Sequence, residues 1–419
     1  MEMPNLPKSV VIVGGSLAGL LHGLYLKRHG SNVMILEQDP SAVRSSHQAG
    51  IAFGPNVDEI LRKYDDTGVQ SCIASPTTQI AYRKSWDIHL NIARRLTSWG
   101  LLYRILRANY DGLASDAVPS PPPPRKGDGE AEYRSGKKVT NLQDNNGTIT
   151  VTFVDQDGTE DSLTADLVIG ADGVHSTVRT LLQAPTIKEY SGYVAWRGTV
   201  LERDLTPETV AYFADRPTLT FLKNTYLVSY PIPPDTGTFT QATRLLNWVW
   251  YSNAPDPTPF LTDVHNRTHS TTVPTGLVSP PLWRAHLADT VAQMPPHLAA
   301  LVSATQPEAV FVTRVSDALC GRAVFCGGRV VLVGDALATF RPHFAVATEQ
   351  AARHCLGLGR VWEGGLELER WEGEVTGYGR RMWMASRVLG VWGLGGWWEF
   401  LGVLGRFVGV VLGGLLGRG

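Results

Sequence analysis

Small and acidic residues near the start of the chain stand in an order that suits dinucleotide binding. The turn GGSLAG, from Gly14 to Gly19, opens a helical segment, and Glu37 follows about 20 residues later. The N–H groups at the helix start would face a pyrophosphate, and the Glu37 carboxylate would accept hydrogen bonds from an adenosine ribose. Ser16 replaces the middle glycine of G-x-G-x-x-G, and its Cβ limits how closely a diphosphate can approach. A βαβ unit without a ligand remains the alternative for this stretch taken alone.

Three apolar segments have the character of buried parallel strands, and each ends at small or acidic residues. Residues 10–13, 167–169 and 330–333 are rich in valine, isoleucine and leucine. The second segment leads into Asp172 and Gly173, and the third leads into Gly334 and Asp335. Because the carboxyl ends of parallel strands meet at one edge of a sheet, these residues are expected to converge with the first glycine turn.

Composition and charge argue against several other classes of protein. The 419 residues carry a net charge of −1 and no basic cluster, so a nucleic-acid partner is not expected. The four cysteines form no C-x-x-C pair, so neither a metal site nor a disulfide framework is expected. The first residues lack the basic region of a signal peptide, which favours a cytoplasmic location.

The pattern along the chain predicts an α/β fold with two domains and a helical C-terminal segment. Residues 1–76, 99–185 and 312–360 are assigned to the nucleotide-binding domain, and residues 77–98 and 186–311 to a mostly antiparallel, aromatic-rich sheet. Residues 111–130 include four consecutive prolines and are interpreted as an exposed, mobile insertion. For residues 361–419, rich in glycine and tryptophan, a packed or poorly ordered helix is favoured over a membrane-associated tail or a misread gene end.

Taken together, the three motifs resemble the single-component FAD-dependent aromatic monooxygenases. GGSLAG with Glu37, IGADGVHSTVR and VVLVGD occur in that family's order, and the resemblance extends to about residue 360. The segments LTSWGLLYRILR, SGYVAWRG and FRPHFAVATEQAA are most similar to the 2,6-dihydroxypyridine hydroxylase-like branch. The resemblance implies a Rossmann-like FAD-binding domain, a substrate domain built on the antiparallel sheet, and FAD reduced by transiently bound NADH or NADPH.

The motifs and the resemblance together give a set of expected cofactor-binding positions. Asp335 is expected to accept a ribityl hydroxyl, Arg104 to contact the flavin side, and the helix from Ala345 to face the flavin pyrimidine carbonyl. Asp172 and Gly173 match a motif near the FAD diphosphate that is linked to NAD(P)H use. The full set is Gly14, Gly15, Ser16, Ala18, Gly19, Glu37, Arg44, Arg104, Asp172, Gly173, Gly334, Asp335, Pro342, Ala345 and Ala347. For Arg44, an exposed structural arginine is the alternative.

Several positions depart from the family pattern near the flavin. Ala338 stands where the family commonly has histidine, Ala345 and Ala347 where it has glycine, and Glu349 where it has asparagine. Alanine keeps the backbone N–H but loses the freedom to adopt positive φ. Glu349 would bring negative charge towards an anionic flavin. The interpretation is looser tuning of the cofactor, with a catalytically inactive protein as the alternative.

The implied reaction is hydroxylation of a small aromatic or heteroaromatic, phenol-like substrate. In the family, NAD(P)H reduces FAD, dioxygen adds to the reduced ring, and the resulting flavin hydroperoxide transfers one oxygen atom. An epoxidase or ring-modifying monooxygenase of secondary metabolism is an alternative. A flavin-free binding protein on the same fold is another. The chain is expected to be a monomer or a homodimer.

Three side chains are candidates for handling the substrate. His343 lies beside the flavin-facing helix and could donate to a substrate oxygen or act as a base. A histidine satisfied by the backbone is the alternative. Tyr193 and Arg197 are expected on one face of a strand, with Trp196 on the other face as a structural residue.

Overall fold

The chain begins with the strand–helix–strand unit that its sequence predicts. Strand β1 (Ser9–Val13) is followed by helix α1 (Leu17–Arg28) and strand β2 (Asn32–Leu36). The two strands pair in parallel, with Val13 opposite Leu36. Helix α1 is buried along almost all of its length because it packs against the sheet on one side and against other helices on the other.

The structure is a computed structural model that describes residues 6–44, 46–83 and 85–416, with only the backbone described for residue 397 and residues 414–416. The further helices are α2 (Pro55–Tyr64), α3 (Trp99–Asp111), α4 (Thr177–Leu181), α5 (Pro207–Phe213), α6 (Thr258–Leu261), α7 (Pro280–Val291), α8 (Pro296–Ala304), α9 (Ala347–Trp362), α10 (Leu368–Leu394) and α11 (Trp397–Leu416). The further strands are β3 (Gly50–Phe53), β4 (Ile73–Ser75), β5 (Thr78–Tyr82), β6 (Trp86–Leu90), β7 (Arg94–Ser98), β8 (Ala131–Arg134), β9 (Lys138–Asp144), β10 (Ile149–Val154), β11 (Glu160–Ala165), β12 (Leu167–Gly170), β13 (Thr186–Leu201), β14 (Thr218–Leu222), β15 (Thr225–Ile232), β16 (Leu245–Asn253), β17 (Thr272–Val273), β18 (Phe311–Cys320), β19 (Val324–Phe325), β20 (Val330–Leu332) and β21 (Ala338–Thr339).

A six-stranded sheet brings together the three strand ends that the sequence singles out. Its order is β19-β20-β12-β1-β2-β8, and all neighbours pair in parallel except β19 and β20. Val13 pairs with Gly170, and Gly170 pairs with Leu332, so the three carboxyl ends lie side by side. The convergence predicted from sequence is therefore confirmed. A small antiparallel sheet, β11-β10-β9, extends from this domain.

The second large sheet has nine strands and two different faces. Its main order is β17-β18-β13-β16-β15-β14-β5-β6, with β21 paired to β18. One face packs on α5, α7 and α8 through a core that includes Trp196, Trp248 and Trp283. The other face carries Tyr193, Tyr226 and Tyr251 and meets the last residues of α10. The alternation therefore separates Tyr193 from Trp196, as the sequence predicts.

The sheets place two short segments differently from the domain limits expected from sequence. Residues 94–98 form β7, which pairs with β3 and β4 in a three-stranded sheet rather than with the nine-stranded sheet. Residues 312–320 belong to β18 and pair along β13, although they were assigned to the nucleotide-binding domain. Both segments lie where the chain crosses between the two domains. The alternation of apolar and polar residues along them does not indicate with which strand each will pair.

The proline-rich segment is irregular, as predicted, but it is attached to the protein at several points. Ala117 and Val118 are buried. Arg125 pairs with Asp66, and Asp128 pairs with Arg28 at 2.5 Å. Much of the segment is exposed, while apolar and charged residues on either side of the prolines contact the domain surface.

The C-terminal residues form two helices, in agreement with the helical C-terminal segment that the sequence predicts. Helix α10 contributes Trp371, Val375 and Trp383 to the main core. Helix α11 packs on α10 and leaves Trp398 87% exposed. Within the described part of the chain, no helix has the combination of length and apolar character that crossing a membrane requires. Residues 417–419 of the predicted tail lie outside the described residues.

Candidate functional site

A groove of about 340 Å³ opens at the edge where β1, β12 and β20 end. The predicted cofactor-binding residues that line it are Gly14, Ser16, Glu37, Arg44, Asp172, Gly173 and Asp335. The side chains of Lys137, Lys138 and His175 complete one wall. The groove includes Ser16, the N-cap of α1, and combines charged side chains with a glycine turn, as a dinucleotide site requires.

The glycine turn before α1 cannot be built from larger residues. Gly14 has φ of +104°, and a Cβ there would lie 2.5 Å from the carbonyl oxygen of Ala171. A Cβ on Gly19 would lie 2.0 Å from the carbonyl oxygen of Gly14. The N-cap residue Ser16 makes no side-chain capping bond, and no acidic residue occupies the first turn of α1. The helix start therefore presents backbone N–H groups that a phosphate can bind.

Two further predicted glycines and Ala18 bring the turns into contact instead of lining the groove. Gly15 lies beneath the ring of Tyr133, where a Cβ would approach the phenol oxygen to 2.3 Å. Gly334 has φ of +56°, and a Cβ there would lie 3.1 Å from the Cβ of Ala18. Gly334 and Ala18 are therefore small enough for the turn after β20 to pack against the start of α1, and Gly15 leaves room for Tyr133.

Glu37 is held in place by backbone groups at the end of β2. Its Oε2 accepts a hydrogen bond from the N–H of Gly15 at 2.8 Å, and its Oε1 accepts one from the N–H of Asp39 at 2.9 Å. Arg44 lies 3.4 Å from the same carboxylate. The Oε1 atom, which has one donor, retains a further lone pair, so Glu37 can still accept a ribose hydroxyl.

Asp335 is a buried carboxylate that lacks a donor. Its Oδ1 has no hydrogen-bond partner among the described residues, although it is at the groove. Burial raises the pKa of Asp335 from 3.8 to about 6, against the opposing charge of Arg179. A ribityl hydroxyl donated to this oxygen would satisfy it.

Two residues without a role predicted from sequence support this turn. The guanidinium of Arg179 donates to the carbonyl oxygens of Val174 and Ala336 at 2.6 and 2.8 Å, so it joins the turns after β12 and β20. The Nδ1 of His354 accepts the N–H of Gly334 at 3.1 Å. Burial lowers the pKa of His354 to about 3, so the imidazole is neutral. Arg179 lies in the motif IGADGVHSTVR, whereas no local pattern indicated His354.

The carboxylate of Asp172 is hydrogen-bonded to residues at the start of α4. It accepts hydrogen bonds from the hydroxyl of Ser176 and the N–H groups of Thr177 and Val178, at 2.5 to 3.0 Å. It therefore caps the N-terminus of α4. The neighbouring Gly173, with φ of +76°, forms the turn that faces the groove.

Arg104 does not line this groove, and it already has a partner. Its guanidinium forms an ion pair with Asp235 at 3.1 Å, and Asp235 also accepts the hydroxyl of Ser46. The pair joins α3 to the loop after β15. A direct contact between Arg104 and the flavin therefore stays a prediction.

The segment that is expected to face the flavin forms a short turn before α9. Pro342 begins a 3₁₀ turn, Ala345 adopts φ of +51°, and Ala347 is the first residue of α9. Ala345 therefore holds the left-handed conformation that the family supplies with glycine, at a cost of about 1 kcal/mol. The fold keeps this turn despite the alanine.

The carboxylate of Glu349 binds donors at the start of α2. It accepts the N–H groups of Gly54, Asn56 and Val57 at 2.9 to 3.3 Å, and the side-chain amide of Asn56 at 2.6 Å. It therefore caps the N-terminus of α2, whose dipole favours negative charge there. The effect of the Glu349 charge on the flavin stays a prediction.

A buried cluster of aromatic hydroxyls surrounds His343. Its Nε2 is 2.6 Å from the hydroxyl of Tyr193, and its Nδ1 is bonded to the hydroxyl of Tyr226. The ring of Tyr251 lies 4.8 Å from the imidazole, edge to face. Burial lowers the pKa of His343 well below its usual value, with the charge of Arg341 acting in the same direction. A neutral imidazole therefore accepts a hydrogen bond from one tyrosine and donates to the other.

Arg197 lies on the same sheet face as Tyr193, beside two polar residues that the sequence analysis missed. The Nε of Arg197 and the Nδ2 of Asn247 are buried and find no acceptor within the described chain. Asn247 is paired with Tyr230 across β15 and β16, and its Oδ1 accepts the N–H of Gly50 at 3.1 Å. Burial raises the pKa of Tyr230 to about 12, against the charge of Arg197. Alternation along β15 and β16 would have placed Tyr230 and Asn247 on this face.

One loop connects the groove with this sheet face. Arg44 lies at the groove. Three residues nearer to β3, the ring of His47 lies 5.8 Å from the ring of Phe311, tilted by 37°. Gln48 accepts the hydroxyl of Thr199 at 3.2 Å. This loop therefore reaches from the nucleotide groove to the part of the nine-stranded sheet that carries Phe311 and Thr199.

Comparisons with known proteins agree with this arrangement. Residues 8–88 match the family model described as FAD binding domain, and residues 190–317 match one described as FAD binding domain-like. The chain is 30% identical over 359 residues to the 2,6-dihydroxypyridine 3-monooxygenase of Paenarthrobacter nicotinovorans, covering 84% of this chain and 82% of that protein. It is 24% identical to the 6-hydroxynicotinate 3-monooxygenase of Bordetella bronchiseptica, with the same coverage of 84% and 82%.

Solved structures show the same fold over nearly the whole chain. The 2,6-dihydroxypyridine-3-hydroxylase from Arthrobacter nicotinovorans superposes with a TM-score of 0.76 and 26% identity, covering 93% of this chain and 94% of that one. Klebsiella pneumoniae HpxO, solved with FAD and uric acid, gives a TM-score of 0.67 at 19% identity, covering 96% and 92%. The second likeness concerns the fold alone.

Proposed function

We propose that this chain, which belongs to the FAD-dependent aromatic monooxygenases, hydroxylates a small oxygen-bearing aromatic or heteroaromatic ring held against the Arg197 face of the sheet. The chain is an FAD-dependent oxidoreductase that uses NAD(P)H and dioxygen. The groove fits FAD, since Asp335 offers an unpaired acceptor and α1 an uncapped N-terminus. When bound, the FAD supplies the oxidising chemistry.

The observation that carries the substrate proposal is the pair of buried donors without acceptors. A buried donor that lacks a partner costs about 1–3 kcal/mol, so Arg197 and Asn247 call for a ligand that brings acceptors. A phenolic, pyridone or carboxylate oxygen would supply them. The tyrosine rings beside them offer apolar surface for a flat ring. The named relatives act on hydroxylated pyridines, which have this chemistry.

A substrate screen tests the function directly. Hydroxypyridines, hydroxybenzoates and simple phenols are offered to the FAD-loaded enzyme with NADH or NADPH, and cofactor oxidation is followed together with product mass. We expect at least one compound to accelerate NAD(P)H oxidation and to gain one oxygen atom from labelled dioxygen. The structure of the product also separates ring hydroxylation from epoxidation. A panel that yields neither acceleration nor oxygenated product would count against the proposal.

Arg197→Met tests the acceptor-binding role of the sheet face. The loss of a charged donor to the substrate is expected to raise KM by about tenfold or more. FAD occupancy should not change, because Arg197 does not line the nucleotide groove. The exposed Arg203 of the same domain provides the matched control, Arg203→Met, which should leave KM unaltered. An unchanged KM in Arg197→Met would remove this residue from the site.

We further propose that Tyr193 and His343 handle the proton of the substrate hydroxyl. The neutral imidazole links the hydroxyls of Tyr193 and Tyr226, so a proton can pass between them without a buried charge lasting at His343. Tyr193→Phe removes one hydroxyl while keeping the ring. We expect product turnover to fall by about 10²-fold while FAD stays bound, as measured by product formation and flavin absorbance. A variant with full turnover would exclude Tyr193 from proton transfer.

A further inference from the structure

A single buried carboxylate, Asp317, connects the His343 turn to helix α10. Asp317 lies on β18 and is 0% exposed. Its Oδ2 accepts hydrogen bonds from the Nε of Arg341 at 2.7 Å and from the Nε of Arg387 at 3.0 Å. Its Oδ1 accepts the Nη2 of Arg387 at 2.6 Å and the indole N–H of Trp383 at 3.0 Å. Each oxygen therefore binds two donors.

The partners of Asp317 come from the segments that enclose His343. Arg341 stands two residues before His343, and its guanidinium lies 5.6 Å from the ring of Tyr193. Trp383 and Arg387 belong to α10, and Arg387 also reaches Glu189 on β13 at 2.8 Å. One turn after Arg387, α10 passes directly over the cluster.

The contact between α10 and the cluster is close enough to depend on the helix position. A Cβ on Gly390 would lie 2.8 Å from the Nε2 of His343 and 3.0 Å from the hydroxyl of Tyr193. A small movement of α10 would therefore either break the bond between His343 and Tyr193 or open space beside it. The bonds from Asp317 to Arg341 and Arg387 fix the distance between the turn and the helix.

A buried ion pair is weak evidence for stability, because an apolar group of similar size often serves a fold as well. What distinguishes this cluster is its geometry. Two planar guanidinium groups approach one carboxylate, which fixes their direction as well as their distance. The cluster thus has the character of a positioning device.

We propose that Asp317 is a positioning residue for the reaction: through Arg341 and Arg387 it sets the place of His343 against Tyr193 and makes α10 a wall of the reaction site. This inference rests on the proposed function for its effect on turnover. Its structural part, the place and hydrogen bonding of His343, can be measured without any substrate.

The test uses the FAD-loaded enzyme and the variant Arg387→Lys, which keeps the charge but loses the two-point contact with Asp317. Arg125→Lys is the matched control, since Arg125 makes a similar two-point contact with Asp66 at the exposed proline-rich segment. The first readout is the ring-nitrogen resonances of His343 in ¹⁵N-histidine-labelled protein, assigned with His343→Gln. The second readout is product formed per NAD(P)H oxidised.

In Arg387→Lys we expect the His343 resonances to shift. The product yield per NAD(P)H should fall about tenfold, with hydrogen peroxide formed from the remaining dioxygen. Arg125→Lys should change neither readout. Unchanged resonances, or shifted resonances with an unchanged yield, would overturn the proposal. If Arg387→Lys does not fold, Trp383→Phe removes one of the four donors and is judged by the same two results. If no aromatic compound gives product with the unmodified enzyme, the proposed function fails, and the His343 resonances still decide the positioning role.

Discussion

Asp335 carries a buried carboxylate oxygen that the protein itself leaves without a hydrogen bond and that a ligand can satisfy. Its carboxyl is buried at the end of a strand, and its Oδ1 receives no hydrogen bond from the described residues. Its pKa in the fold, about 6, lies above the ordinary 3.8 because burial disfavours the charged form. Keeping it ionised therefore costs roughly 3 kcal/mol in the protein without FAD.

The raised pKa gives a pH dependence with a definite sign. In the FAD-free protein, the contribution of Asp335 to stability is fully present below pH 3.8 and is lost as the pH rises through about 6. A ribityl hydroxyl favours the ionised carboxylate, so we expect FAD to raise the unfolding temperature more at pH 7 than at pH 5. The measurement is thermal unfolding with and without FAD at both pH values.

Asp335→Asn is the control for this prediction, since the amide does not titrate. In this variant the stabilisation by FAD should be smaller than in the unmodified protein and should change less between the two pH values. An equal FAD effect at pH 5 and pH 7 in the unmodified protein would contradict the assignment of Asp335 to the ribityl chain.

The residue types predicted the groove, but they did not predict the hydrogen-bond and ion-pair partners of individual charged residues. Gly14, Glu37 and Asp335 could be placed because each stands beside a strand whose end is visible in the sequence. Glu349 could not, because the backbone groups it binds at Gly54 are 295 positions away in the chain. Arg104 was likewise assigned by resemblance, and no spacing in the sequence indicated its pairing with Asp235.

At the level of elements, periodicity predicted most of what surrounds the site. The apolar run and glycine turn predicted β1 and α1. At the start of α3, the hydroxyl of Ser98 accepts the N–H of Leu101 at 3.1 Å and so caps the helix. The sequence predicted a helical C-terminal segment but not the limits of helix α10, because its glycines and tryptophans give no clear amphipathic pattern. Its place is decided by tertiary contacts, above all at Asp317.

The close approach of α10 to His343 predicts an unusual effect of a single methyl group. Gly390→Ala would place a Cβ 2.8 Å from the His343 Nε2, so either the helix or the imidazole must move. We expect a loss of about 1–3 kcal/mol in the free energy of unfolding, together with lower product yield. Denaturant unfolding and product analysis measure the two effects.

Gly373→Ala is the matched control in the same helix. A Cβ at Gly373 meets no atom within 4 Å, so alanine fits there without a clash. Because alanine lowers the conformational entropy of the unfolded chain and favours the helix, the substitution should stabilise the protein by about 0.5–1 kcal/mol. Opposite signs for the two substitutions are the expected result. Equal stabilisation by both would show that α10 does not press on the His343 cluster.

For the whole molecule, the two-domain arrangement was predictable because the strand patterns differ. Continuous aliphatic parallel strands such as β12 contrast with the aromatic-rich strands β15 and β16. The crossing segments were less predictable, because β7 and β18 have alternation that fits either sheet. The division into domains thus follows from sequence, whereas their exact limits depend on the pairing chosen at the junction.

The two C-terminal helices make different contributions to the molecule, and truncation separates them. Helix α10 supplies Trp371 and Trp383 to the main core and holds Asp317, whereas α11 exposes Trp398 at 87% and Leu412 at 52%. We expect a chain ending after residue 396 to bind FAD normally and to self-associate less, because an exposed apolar helix favours association. A chain ending after residue 367 should lose FAD, because the core beside α9 would be uncovered and Asp317 would lose its α10 donors. Flavin content and light scattering after size-exclusion chromatography distinguish these results. Loss of FAD from the chain ending after residue 396 would mean that α11 also supports the site.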